Sequence, residues 1–117
     1  METKKQFIRG DLNDFYDGRF PLRNEECINA IKKNYGKIYD GLLIWLFDFT
    51  IKNGKYDPTI FPGIIKNVGK TDEYEIVVDE NDMKYLSESD EFKNYSIKDV
   101  IGEVNYNELF KQYPEKF

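Results

Sequence analysis

The ten residues Leu42-Leu43-Ile44-Trp45-Leu46-Phe47-Asp48-Phe49-Thr50-Ile51 are the one strongly apolar run in an otherwise polar chain, and a single carboxylate, Asp48, interrupts it. How this run folds decides what the rest of the chain packs against. Two periodicities fit. As a helix, Asp40 supplies the N-cap, Lys52 sits in the last turn and Gly54 is the stop, so Gly41, Trp45, Asp48 and Lys52 share one stripe. As a strand, Leu43, Trp45, Phe47, Phe49 and Ile51 line one face, and Leu42, Ile44 and Leu46 grade into Asp48 and Thr50 on the other. Asn53-Gly54 would then be a hairpin turn. The aromatic and β-branched content supports the strand. The length of the run and its two caps favour the helix, and a helix over residues 41–53 is the expectation adopted here.

The choice sets the chemistry of Asp48. On a helix surface it pairs with Lys52, four residues on, and does no chemistry. On a buried strand it is a desolvated carboxylate and the best general-acid candidate in the chain.

Outward from this run, Asn24 is a good N-cap, followed by Glu25 and Glu26 in the first turn, where acidic groups meet the positive end of the helix dipole. Cys27, Ile28, Ile31 and Tyr35 recur at helical spacing and Gly36 stops the pattern, so a helix is expected over 25–35 with Cys27 as a buried, inert thiol. Residues 5–22 are irregular and read as extended or loop, with a turn at Asp17-Gly18 able to close a small hairpin. Downstream, Ile64-Ile65, Val68 and Tyr74 to Val78 read as a β-hairpin at about 64–79, turning around Gly69-Lys70-Thr71-Asp72. Asn81 is expected to cap a short helix carrying Met83 and Leu86, and Ser87 to Asn94 to form a polar loop. Ser96 with Asp99 resembles a capping box. Tyr106, Leu109, Phe110 and Tyr113 make a stripe on a helix expected over 105–113, which must bury itself on its own domain or on a partner.

The expected fold is therefore α+β: one small, helix-rich globular domain spanning 1–117, with helices at about 25–35, 41–53 and 105–113 packed on the hairpin. A chain of 117 residues fits a single core, and no staple is required. One cysteine rules out an internal disulfide framework, and the start of the chain leads into no signal-like apolar segment, so a cytoplasmic location is expected. The apolar run is half the ~20 residues needed to span a bilayer, so no membrane association is expected.

The 22 acidic against 17 basic residues give a net charge of −5, which argues against nucleic acid as a partner. The sequence has no histidine, which removes Ser-His-Asp and Cys-His nucleophile systems and the commonest nitrogen ligand for zinc or copper. No phosphate-binding glycine loop is present. The acidic stretch Asp79-Glu80-Asn81-Asp82 fails the calcium-loop pattern: the fifth position from Asp79 is Met83, the sixth Lys84 and the twelfth Asp90. No metal site or cofactor is implied.

Nine tyrosines and nine phenylalanines exceed what a core of this size needs, and tyrosine is enriched at interfaces. An AT-rich coding sequence would give the same composition with no function attached. Tyr56, Tyr85, Tyr95, Tyr106 and Tyr113, with the acidic Asp79, Glu80 and Asp82, are the expected binding residues. The leading functional expectation is an acidic protein-binding module, for example an inhibitor or immunity-type protein acting on a basic partner such as a nuclease. The alternatives are a carboxylate-based enzyme or ligand-binding domain, with or without Mg²⁺, in a cleft between the hairpin and the helices and marked by Asp48 or the Asp79–Asp82 loop, and a structural subunit of a larger assembly.

Overall fold

The computed structural model describes residues 4–69 and 72–117. Its centre is a six-stranded mixed sheet of order β1-β3-β6-β7-β2 with β8 also paired to β6, and a separate two-stranded ribbon, β4-β5, extends beside it. The strands are β1 (Phe7–Arg9), β2 (Arg19–Pro21), β3 (Leu43–Asp48), β4 (Ile51–Lys52), β5 (Lys55–Tyr56), β6 (Thr59–Asn67), β7 (Tyr74–Val77) and β8 (Lys84–Tyr85). Helix α1 (Glu25–Tyr35) packs on one face, and α2 (Ile97–Ile101) with α3 (Glu103–Gln112) on the other.

The expectation of a helix over 41–53, and with it the helix-rich architecture, is overturned. Leu43–Asp48 is a strand, parallel to β1 and antiparallel to β6, and only two substantial helices, α1 and α3, remain. The physical reason is that the run feeds two cores, one on each side of the sheet. Leu42, Ile44 and Leu46 enter the core beneath α1, while Phe47 and part of Trp45 enter the core beneath α2 and α3. A strand covered on both faces reads as a near-continuous apolar run, which removes the alternation that marks a half-buried strand. The supposed helix caps have other work. The Asp40 carboxylate accepts the Asn67 N–H at 2.8 Å, and Gly54 sits with Asn53 in a two-residue turn at φ +78° and +55°, joining β4 to β5. Lys52 pairs with Glu88, not with Asp48, and that carboxylate pushes the Lys52 ammonium pKa up.

At the ends of α1 and α2 the local signals were sufficient. Helix α1 runs over the expected residues, with the Asn24 side chain accepting the Glu26 and Cys27 N–H groups and Gly36 closing it at φ +86°. Cys27 lies on the apolar stripe but is half-buried rather than buried, and this burial pushes its thiol pKa up. The Ser96–Asp99 capping box is formed, and Asp17-Gly18 makes a tight turn between Tyr16 and Arg19. The hairpin is β6 with β7. Its turn was expected around Gly69 to Asp72, of which Lys70 and Thr71 lie outside the described residues. Helix α3 begins two residues earlier than expected. Residues 80–82 form a 3-10 turn capped by Asp79, not a helix capped by Asn81, and Leu86–Glu88 is a second such turn. Phe92, inside the stretch expected to be a polar loop, is buried in the α2–α3 core.

Two details tie the sheet together. The Tyr35 hydroxyl, at the end of α1, donates to the Gln6 carbonyl at 2.5 Å and accepts the Trp45 N–H at 2.9 Å, joining the mouths of β1 and β3. Pro62 lies opposite Trp45, three register steps from the hydrogen-bonded pair Leu42 and Ile65, so its nitrogen faces away from β3. That side of β6 is the gap between β7 and β8, where no ladder donor is needed.

Candidate functional site

The register makes one face of the sheet a graded apolar surface. Leu43, Ile64 and Val77 form one cross-strand row, Trp45 and Pro62 the next, and Phe47 and Ile60 the third. The α2–α3 unit covers the Phe47–Ile60 end. The opposite end is bare: Leu43 is 50% and Ile64 39% exposed, and with Trp45, Pro62 and Val77 they floor an open groove of about 930 Å³.

The groove has an acidic rim. Asp17, Asp79, Glu80 and Asp82 line it, and among the described residues no lysine or arginine does. Two turns bring these carboxylates together. Gly18 holds a φ of +73°, and its α carbon lies so close to β7 that an added Cβ would meet the Val78 carbonyl oxygen at 2.6 Å. The Val78 N–H donates to the Gly18 carbonyl at 2.8 Å, which brings Asp17 to the segment carrying Asp79. Asp79 then caps the 3-10 turn through the Asn81 N–H at 2.9 Å, presenting Glu80 and Asp82. A smaller recess of about 430 Å³ lies across Trp45 and Pro62, bounded by Asp82, Asp90, Glu91 and Phe92 and by one cation, Lys84.

Of the residues expected to bind, Asp79, Glu80 and Asp82 share this groove, and none of the five tyrosines lines it. Tyr56, tilted, and Tyr106, edge-on, pack against Phe117 at ring distances of 5.2 and 5.1 Å, with Phe110 completing the group. Tyr85 lies under the Lys52 ammonium, and Tyr95 packs edge-on against Phe7 and Phe92. Tyr113 is exposed at the end of α3. The sequence reading missed Leu43, Trp45, Ile64 and Asp17 as site residues. The strand periodicity put Leu43 and Trp45 on one face, but nothing local tells which half of that face the helices leave open.

Asp48 is buried, at 7% exposure, and faces away from Lys52. Its carboxylate accepts the Leu12 N–H at 3.0 Å and the Phe49 N–H at 2.7 Å, and pairs with Arg9 at 3.0 Å. The Arg9 guanidinium in turn lies 4.4 Å over the Phe49 ring. This arrangement fastens the end of β1, the 3-10 turn at Leu12–Asp14 and the end of β3 to one another, and it occupies the oxygens a general acid would present to a substrate. Among the described residues, no group of three or more Cys, Asp or Glu side chains is arranged to hold a metal ion, and no helix is long and apolar enough to cross a membrane.

No protein-family model matches the chain, and no solved structure matches it. Over 77 residues, 62% of its length, the chain is 32% identical to a BTB/POZ domain-containing protein of Arabidopsis thaliana. It spans only 14% of that protein.

Proposed function

We propose that this protein is a small acidic protein-binding module that receives a basic protein partner on the bare half of its sheet. An inhibitor or immunity-type role, with a basic enzyme such as a nuclease as the target, is the concrete form put forward. The observation that carries the reading is an apolar floor, exposed at Leu43 and Ile64 and half-buried at Trp45, Pro62 and Val77, set directly against the carboxylates of Asp17, Asp79, Glu80 and Asp82.

An apolar centre with a polar rim is the anatomy of a protein interface, and a single-sign rim steers and selects a partner of opposite charge. The net charge of −5 extends the same field over the molecule. A second copy is a poor occupant, because isologous docking would bring each acidic rim against its twin. The similarity to a BTB/POZ domain-containing protein is consistent with a protein-binding module and names no partner.

The test is affinity capture with the wild type, a Leu43→Ser/Ile64→Thr variant and an Asp79→Asn/Asp82→Asn variant, each first checked by thermal melting. The reading requires a basic protein recovered one-to-one by the wild type and weakened at least about tenfold, or 1.4 kcal/mol, by both variants. Equal recovery by all three folded proteins, or no stoichiometric partner, would refute it.

A further inference from the structure

The Trp45 ring at the border of the groove already carries a cation supplied by the chain itself. Just before β1, the Lys5 N–H donates to the Tyr95 hydroxyl at 2.7 Å, fixing the backbone across the aromatic cluster. The Lys5 ammonium then lies 5.2 Å from the Trp45 ring centroid and 5.8 Å from that of Phe92, and 3.5 Å from the Glu91 carboxylate. Lys4 repeats the arrangement beside it, 5.3 Å from the Tyr95 ring and 2.6 Å from Asp99. A cation held over aromatic faces with a carboxylate at its side is the chemistry by which proteins take up basic side chains.

We propose that Lys5 is an internal stand-in for a basic side chain of the partner, and that an arginine of the partner displaces it from Trp45 and Phe92 on docking. This rests on the docking reading of the groove. Trp45 lines both the acidic groove and the recess beyond it, so a segment seated on Leu43 and Ile64 reaches this ring next. The incumbent is weakly held: the side chains of Lys5 and Glu91 are 49% and 59% exposed, and a solvated ion pair is easily exchanged. Arginine is the better occupant, because its planar guanidinium stacks on aromatic faces and is more weakly hydrated than an ammonium. Displacement also leaves Lys5 in solvent while Glu91 gains the new cation, so no charge is stranded.

Trp45 is the single tryptophan of the chain, so its emission and its indole N–H resonance report this ring alone. The wild type, Lys5→Gln and Lys111→Gln are titrated with hexa-arginine and with hexaglutamate. Lys111→Gln makes the same change of charge on α3. The expected result is a hexa-arginine response at Trp45 with a midpoint about three- to tenfold lower in Lys5→Gln than in the wild type, Lys111→Gln within about twofold, and no response to hexaglutamate. Equal shifts for the two lysine variants would overturn the proposal. So would Leu43 and Ile64 resonances moving while Trp45 and Lys5 stay fixed, an outcome that leaves the docking reading standing. Silence at all four positions would overturn both.

Discussion

Asp48 shows how a buried carboxylate is held by its neighbours. Its removal leaves the Leu12 and Phe49 N–H groups without their acceptor and Arg9 without its carboxylate, at a junction where three segments meet. Breaking a buried pair from one side costs more than the pair contributes, and the partial exposure of Arg9 lowers that cost. Asp48→Ala is expected to destabilise the fold by about 2–3 kcal/mol in urea denaturation, with partner binding unchanged at temperatures where the variant is folded. A variant of wild-type stability would show that the three contacts are decorative. Gly63 makes the opposite argument about space. A Cβ there would meet the Leu46 Cδ1 at 2.6 Å and the Ile76 Cγ2 at 2.7 Å, in the core beneath α1. Gly63→Ala is therefore expected to cost about 1–3 kcal/mol by overpacking, read as a fall in the urea midpoint at unchanged slope.

Among the elements, those legible in the sequence are those whose ends are set by local hydrogen bonds. Helix α1 was readable from Asn24 and Gly36, and the start of α2 from Ser96 and Asp99, because capping needs no distant partner. Strand β3 was misread because its burial comes from two different sides, under α1 and under α2–α3, which no window along the chain contains. The same reasoning explains the site. The acidic turn Asp79 to Asp82 was visible as charge, whereas the bare row Leu43–Ile64–Val77 exists only through strand register and the limited reach of the helices. The α2 cap also predicts a pH response. The Asp99 carboxyl is held below the usual carboxylate range, first by the Lys4 ammonium and then by the Ser96 N–H. The folded form then binds this proton less readily than the unfolded one, so the contribution is complete above the unfolded value, near pH 4, and disappears as pH falls through the lower folded value. Being near the surface, it is worth no more than about 1 kcal/mol. Melting curves of the wild type and Asp99→Asn should differ at pH 6 and converge towards pH 2–3. A constant difference would show that the carboxylate charge is irrelevant to the cap.

At the scale of the whole molecule, the three layers explain why one face is left over. Helix α1 closes the first face with Ile28, Ile31 and Tyr35, while the short α2 and α3 reach only the Phe7–Phe47–Ile60 end of the second. The remaining half carries its apolar floor next to carboxylates from two separate turns, within a field of net −5. Contacts of the floor and charges of the rim should act on different rates. Rim charges raise the frequency of productive encounter, and solvent and salt screen them once the partner is seated, whereas the floor supplies the contacts that must break on leaving. Neutralising Asp79 and Asp82 together is therefore expected to slow association with the basic partner by about tenfold at low ionic strength, to flatten the salt dependence of the rate, and to leave dissociation nearly unchanged. Leu43→Ser with Ile64→Thr should do the reverse, leaving association within about twofold and speeding dissociation at least tenfold. Stopped-flow or surface-immobilised kinetics at 20 and 200 mM salt separates the two. If both variants altered only dissociation and the salt slope were flat, the acidic rim would be solubilising charge, and selection of the partner would rest on the shape of the groove alone.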